Sequence, residues 1–346
     1  MNTYTTSPAP APARERSRRG FLKLFAGGLT ASIFGGGAVG GTLTYWSSSQ
    51  NTAPHPLVDA PPRQPLTVTT PGGIRIHHIQ TGYVAVKSVH RSYVGRDGTG
   101  IPAVIADRRW TPWMPISAWV IEHPEGVLVI DTGETSQVIH DPDYFNCDRG
   151  TDFFYNSFLR FALQPEDEIV PQMQQLGIKP ADVRWVVQTH LHSDHMGGLP
   201  GFKDSEIIVS DPDYPASTGT LPCRYPAWLS PTFSRFDDGS LPGFERVMQL
   251  TRAADVFIVP TPGHSPGHQS VMLVEDDMTY FFAGDASFDE AQMLAGGTAG
   301  IASQPAQMRQ SLSAIRTYAQ STPTVYLPSH DPALRDRLQN RTTVQI

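Results

Sequence analysis

Beyond about residue 65 the chain falls into short apolar runs separated by polar turns. Runs at 66–69, 74–79, 82–89, 116–122 and 126–131 have the length of strands. The last, Gly-Val-Leu-Val-Ile-Asp, is apolar throughout, as a strand buried on both faces requires, and it runs into the turn Asp131-Thr132-Gly133. Further strand-like runs follow at 183–189, 206–210, 256–260, 270–275, 278–283 and 324–327. Two segments switch to helical spacing. One is 165–176, with Ile169, Met173 and Leu176 on one face; the other is 304–319, with Met308, Leu312, Ile315 and Tyr318. Strands first, then strands interleaved with helices, predict an α/β sheet sandwich. Residues 90–115 and 212–250 read as loop-rich insertions, the kind of segment that carries substrate contacts.

The first 65 residues follow neither pattern. Residues 17–23 read Ser-Arg-Arg-Gly-Phe-Leu-Lys, and an apolar, glycine-rich stretch over about 24–46 comes next. This resembles a twin-arginine export signal, matched at every defined position. Glycines at 27, 28, 35, 36, 37, 40 and 41 would cost a packed helix roughly 1 kcal/mol each, a composition that an export signal tolerates. Val58-Asp59-Ala60 comes closest to a cleavage site, but Pro61 follows it. The apolar run is also about the ~20 residues that span a bilayer, so a cleaved signal and a retained anchor both stay open. The resulting division is 1–46 signal or N-terminal anchor, 47–65 Pro/Ser-rich linker and 66–346 catalytic domain. The resemblance implies the twin-arginine translocation machinery as a partner and a periplasmic or other extracytoplasmic location. That route carries folded proteins, which implies a cofactor loaded before export.

Composition narrows the body. At 39% hydrophobic and 17% charged, the 346-residue chain is too apolar for disorder and too polar for a multi-span membrane protein. Six of its 26 basic side chains and only Glu15 and Asp59 of its 33 acidic ones lie in residues 1–65, so the other 281 residues carry a net charge of −11. An acidic body offers no footprint for nucleic acid or for an anionic membrane surface. Two cysteines, Cys147 and Cys223, exclude a disulfide scaffold and a thiolate cluster, and leave open whether they pair. Twelve histidines exceed what bland composition needs.

Where those histidines fall is informative. Thr189-His190-Leu191-His192-Ser193-Asp194-His195-Met196-Gly197-Gly198 directly follows a strand and packs four potential ligands into six residues. Neutral imidazoles and carboxylates suit zinc or a similar borderline cation. Three more segments past strand ends add Thr261-Pro262-Gly263-His264-Ser265-Pro266-Gly267-His268, then Gly284-Asp285, then Pro328-Ser329-His330-Asp331. Donors gathered just beyond several strands suit a site along one edge of a sheet sandwich.

On these motifs the chain resembles the metallo-β-lactamase-fold hydrolases, over about residues 70–335. The resemblance implies an αββα sandwich with two divalent metal ions, most readily Zn2+. It implies that His190, His192 and His264 hold the first ion, that Asp194, His195 and His330 hold the second, and that Asp285 bridges them. Asp131 and His268 would support the ligand loops without binding metal. The implied chemistry is attack by a metal-bridging hydroxide on a carbonyl or phosphoryl centre, with Asp194 moving the proton. Within the superfamily the N-acyl-homoserine lactonases are nearest, through Pro-Glu-Asp-Glu-Ile-Val at 165–170, Leu-Gly-Ile-Lys-Pro-Ala-Asp-Val at 176–183 and the 261–270 segment. The expected activity is therefore opening of a lactone or cleavage of an ester, which would make this a quorum-quenching enzyme. The alternative is a phosphotriester or phosphodiester hydrolase similar to methyl parathion hydrolase. Phe288 stands where lactonases of that group place a tyrosine, which leaves the particular lactone open. Trp110, Trp113 and Met114 are candidate walls of an apolar acyl pocket, and loop aromatics serve equally for packing. The aromatic segment 153–161 fits a lid, a homodimer contact or core packing.

Overall fold

The computed structural model describes residues 64–346. The signal, anchor and most of the linker read from the sequence lie outside the described residues. The apolar runs form two sheets. The first contains β1 (Leu66–Thr69), β2 (Arg75–Val86), β3 (Met114–His123), β4 (Gly126–Ile130), β5 (Leu159–Ala162), β6 (Val183–Val187), β7 (Glu206–Val209) and β8 (Thr232–Phe233). Their order is β1-β2-β3-β4-β6-β7-β8, with β5 paired to β2. The second contains β9 (Met248–Gln249), β10 (Val256–Pro260), β11 (Gln269–Val274), β12 (Thr279–Gly284) and β13 (Thr324–Pro328), in the order β13-β12-β11-β10-β9.

The layers follow from which residues are apolar on which face. Trp119, Ile121, Ile130 and Trp185 of the first sheet meet Ile258, Val271, Phe282 and Leu327 of the second in one buried cluster. The Trp119 and Phe282 rings cross it edge-on, 5.0 Å apart. The opposite face of the first sheet, through Val120, Val129 and Val186, is covered by Ile169 and Met173 of the helix Ile169–Gln175. The outer face of the second sheet, through Met272, Phe281 and Tyr326, is covered by Met308, Leu312, Ile315 and Tyr318 of the helix Pro305–Ser321. The result is the expected αββα sandwich. Each such side chain contributes about 1.5–3 kcal/mol by leaving water.

Three departures from the sequence reading have physical causes. The runs at 74–79 and 82–89 are one strand, β2, which absorbs an irregularity between Gln80 and Gly82 through the φ of +145° at Gly82. The 90–115 insertion holds a helix, Gly100–Ala106, that is too short for periodicity to show. The aromatic segment divides between a helix, Arg149–Phe158, and β5, which takes residues 159–161; the helix is started by Asp148, whose carboxylate accepts from the Gly150 and Thr151 N–H groups at 2.9 and 3.0 Å. Its Tyr155 and Phe158 are buried, with Tyr155 stacked on Phe145 at 4.5 Å, so these two pack the core, whereas Phe153 is exposed.

Cys147 and Cys223 form a disulfide across 76 residues. Closing a loop of that length removes unfolded-state entropy worth about 4 kcal/mol in the chain-entropy model. Cys223→Ser should therefore lower unfolding free energy by about 2–4 kcal/mol. Denaturant titration of the oxidised wild type against the variant measures it, and equal midpoints would show that the bond contributes nothing.

Candidate metal centre

The donors reach one place because five strands end there. β4 runs into Asp131, β6 into 189–195, β10 into 261–268, β12 into Asp285 and β13 into His330. Two of these strands are in the first sheet and three in the second, so the cluster sits on the shared edge of both. Asp131 and Gly284 turn the chain there at φ of +52° and +55°. A Cβ at Gly284 would lie 2.7 Å from Thr189 Oγ1 and 2.8 Å from His268 Nε2, so only glycine fits.

Seven side chains converge. His190, His192 and His264 form one group of donor atoms, Asp194, His195 and His330 a second, and His190, His195 and Asp285 a third that links them, with the atoms of each group within 4.8 Å of one another. His190 Nε2 and His264 Nε2 lie 2.9 and 3.0 Å from His192 Nδ1. Asp285 turns one oxygen to each side. Its Oδ1 is 3.4 Å from His195 Nε2 and 3.3 Å from His330 Nε2, while its Oδ2 is 3.4 Å from His264 Nε2. Asp194 reaches His195 Nε2 at 3.8 Å and His330 Nε2 at 3.4 Å.

The surroundings decide which nitrogen faces inward. His192 Nε2 donates to Thr218 O at 3.0 Å, His330 Nδ1 to Pro115 O at 2.8 Å and His195 Nδ1 to Asp131 Oδ2 at 2.8 Å. Carbonyl and carboxylate oxygens only accept, so in each ring the outward nitrogen is a donor and the other is the one left to face the centre. Asp131 also accepts from the Thr189 N–H at 2.7 Å and from its hydroxyl at 2.8 Å. His268 donates from Nδ1 to Thr261 O at 3.1 Å and accepts the Asp285 N–H at Nε2, 3.0 Å away. Asp131 and His268 thus brace the loops one bond out from the cluster.

The electrostatics call for positive charge. Burial, reinforced by neighbouring histidines, holds His190 and His264 well below the ordinary imidazole range. Burial also opposes protonation of His195 and His330. Asp285 and the other carboxylates outweigh it, holding His195 well above the ordinary range and pushing His330 up to about 10. Against the cost of burial, the same histidines hold Asp194 down at about 2 and Asp285 well below the carboxylate range. His195 Nε2 and Asp285 Oδ1 are nevertheless buried with no hydrogen-bond partner. Inward-facing imidazole nitrogens around two buried carboxylates, with His195 Nε2 and Asp285 Oδ1 left orphaned, form a donor set that fits divalent cations.

The remaining sequence candidates are placed as follows. Phe288 is buried, stacks on His330 at 5.4 Å and lies 6.3 Å from His264, walling the cluster with carbon. Trp110 is a platform for two cations, with Lys87 Nζ 4.0 Å and Arg160 Cζ 4.4 Å from its ring centre. Trp113 is half-buried next to the buried Met114. Two polar residues escaped the sequence reading. Glu134, fully buried just after the Asp131-Thr132-Gly133 turn, accepts from Ser193 Oγ at 2.8 Å, and burial followed by the Asp194 charge pushes it up to about 8. Its signal was a carboxylate immediately after that turn. His90 is the other.

The chain belongs to the metallo-beta-lactamase superfamily, whose family model matches residues 111–330. With the His/Asp cluster described above, it is a metal-dependent hydrolase. Among its relatives is the N-acyl homoserine lactonase AttM of Agrobacterium fabrum, 28% identical over 276 residues that cover 75% of this chain and 94% of that protein. The fold is similar to that of an N-acyl homoserine lactone hydrolase solved with the product N-hexanoyl-L-homoserine bound at its catalytic metal centre. That match has a TM-score of 0.62 and 18% identity, and covers 79% of this chain and 96% of the other. It is also similar to AidC, a dizinc quorum-quenching lactonase, with a TM-score of 0.52 and 14% identity over 78% of this chain and 91% of the other.

Proposed function

We propose that this protein opens a lactone or cleaves a related carboxylic ester, in the manner of an N-acyl-homoserine lactonase, with two zinc ions. His190, His192 and His264 would hold one ion, Asp194, His195 and His330 the other, and Asp285 would contact both. The observation that carries this reading is the two-sided Asp285 carboxylate, with Oδ1 toward His195 and His330 and Oδ2 toward His264. Bound ions supply a water nucleophile at neutral pH and polarise the carbonyl under attack. The chain's own residues do the rest. Asp194, kept anionic beside His195 and His330, would take the proton released by the attacking water and pass it to the departing alkoxide. Phe288 keeps water from the His330 side, and the fixed tautomers of His192, His195 and His330 hold the donors still.

The location is also a proposal: export through the twin-arginine pathway to a periplasmic or other extracytoplasmic site. It is supported by Ser-Arg-Arg-Gly-Phe-Leu-Lys at 17–23 and by the Cys147–Cys223 disulfide, a bond that persists in oxidising compartments.

One experiment tests the activity. Purified protein is assayed for metal and for turnover of N-acyl-homoserine lactones, aryl esters and aryl phosphotriesters side by side. The expected result is close to two equivalents of metal per chain, with lactones or esters turned over fastest and activity lost on chelation. Phosphotriester turnover without lactone or ester turnover would replace this reading with the phosphotriesterase one.

A further inference from the structure

One buried histidine near the centre has no partner. His90 lies in the single-turn helix Ser88–Arg91 and is only 6% exposed. Its Nδ1 is buried without a hydrogen-bond partner among the described residues. A buried imidazole nitrogen left unpaired costs about 1–3 kcal/mol, and buried polar groups are normally satisfied.

The position of the ring is as telling as its lack of partners. Its centroid lies 6.1 Å from Phe288, edge-on, and 6.2 Å from Phe154. Phe288 in turn stacks on His330 at 5.4 Å, so His90 stands one ring away from the donor cluster. It interacts electrostatically with His192, Asp194, Asp285 and His330, members of both halves of that cluster. Phe288 and Phe154 offer no polar side-chain atom, which leaves His90 as the hydrogen-bonding group of this wall. Burial, followed by the His192 charge, holds the ring neutral, so it carries one donor and one acceptor nitrogen. The backbone is fixed as well: the Gly300 N–H donates to His90 O at 3.0 Å, and Asp107 accepts the neighbouring Val89 N–H at 2.8 Å. A rigidly held imidazole, unsatisfied beside a hydrolytic centre, matches a substrate that brings the missing partner.

We propose that His90 contacts the substrate, its imidazole hydrogen-bonding an amide group carried next to the scissile lactone or ester. An amide offers both an N–H and a carbonyl oxygen, so either ring nitrogen finds a complement. This assignment rests on the ester or lactone reading given above and adds to it a residue that distinguishes an amide-bearing substrate from a plain one.

The test compares His90→Phe and His90→Gln with wild type on an N-acyl-homoserine lactone, on the same lactone without its acylamino group and on phenyl acetate. His90→Phe should lower kcat/KM for the amide-bearing lactone by about 10- to 100-fold, the loss expected when one buried hydrogen bond to substrate is removed. Turnover of the two plain substrates, metal content and Tm should stay at wild-type values, and His90→Gln should recover part of the loss. Equal losses on all substrates, unchanged turnover of the amide-bearing lactone, or loss of metal or Tm in both variants would overturn the proposal. If wild type opens no lactone, the lactone reading fails by itself. The His90 comparison then uses an N-acylglycine aryl ester against phenyl acetate, with the same selective loss expected.

Discussion

Asp285→Ala should lower kcat by about a thousandfold or more and strip metal from the protein, because several kcal/mol of transition-state stabilisation come from the ions it holds. Among the described residues, Asp285 is the one carboxylate whose two oxygens face nitrogens of both donor groups. Without it the two donor groups lose their common member and the negative charge that faces both. The fold should survive. Gly284 still makes the turn and His268 still accepts the backbone N–H of residue 285. Asp285→Asn separates shape from charge: it fills the same space, and metal content should still fall. Metal analysis and turnover on a common preparation decide the matter. Full activity together with wild-type metal in Asp285→Ala would remove the residue from the centre.

A second large effect should come from a residue that never meets the ions. Asp131→Ala removes one carboxylate that satisfies three buried donors: the Thr189 N–H, the Thr189 hydroxyl and His195 Nδ1. Unsatisfied donors cost about 1–3 kcal/mol each, so the expected loss of stability is about 3 kcal/mol or more even after partial relaxation. Asp131→Asn is the sharper probe. Asparagine tolerates the φ of +52° and with its oxygen at the Oδ1 position still accepts from the Thr189 N–H, but its NH2 then replaces Oδ2, the acceptor for both the Thr189 hydroxyl and His195. Metal affinity should fall about 10- to 100-fold in Asp131→Asn, with much of the stability retained. Competition titration with a chromophoric chelator gives the affinity and thermal unfolding of the metal-free protein gives the stability. A wild-type affinity in Asp131→Asn would show that the tautomer of His195 is set elsewhere.

The fold was legible wherever apolar spacing is redundant. The run 126–131 could only be a buried strand, and Met308, Leu312, Ile315 and Tyr318 all face the second sheet from one helix. Illegible were elements whose stability is tertiary, such as the seven-residue helix Gly100–Ala106. Only through space does Gly100 meet its close neighbour, the carbonyl of Gly300. The convergence of the seven donors could be read because the sequence places them directly after strand ends, four of them within six residues. Thr218, Pro115, Glu134 and His90 could not be read that way. Two of them act through a backbone carbonyl that any residue carries, and the other two are single polar side chains whose role appears only once distant segments are packed around them.

The Cys147–Cys223 bond has one more consequence, for covalent continuity. The segment it encloses carries β6 and the 189–195 loop, and Lys203 on its exposed surface offers a protease a place to cut. After such a cut Cys147 and Cys223 lie on different pieces, with His190, His192, Asp194 and His195 on one and His264, Asp285 and His330 on the other. The disulfide keeps them a single molecule. A nicked chain therefore retains every donor at the same stoichiometry, whereas the same nick in a reducing environment divides the centre between two polypeptides that can drift apart.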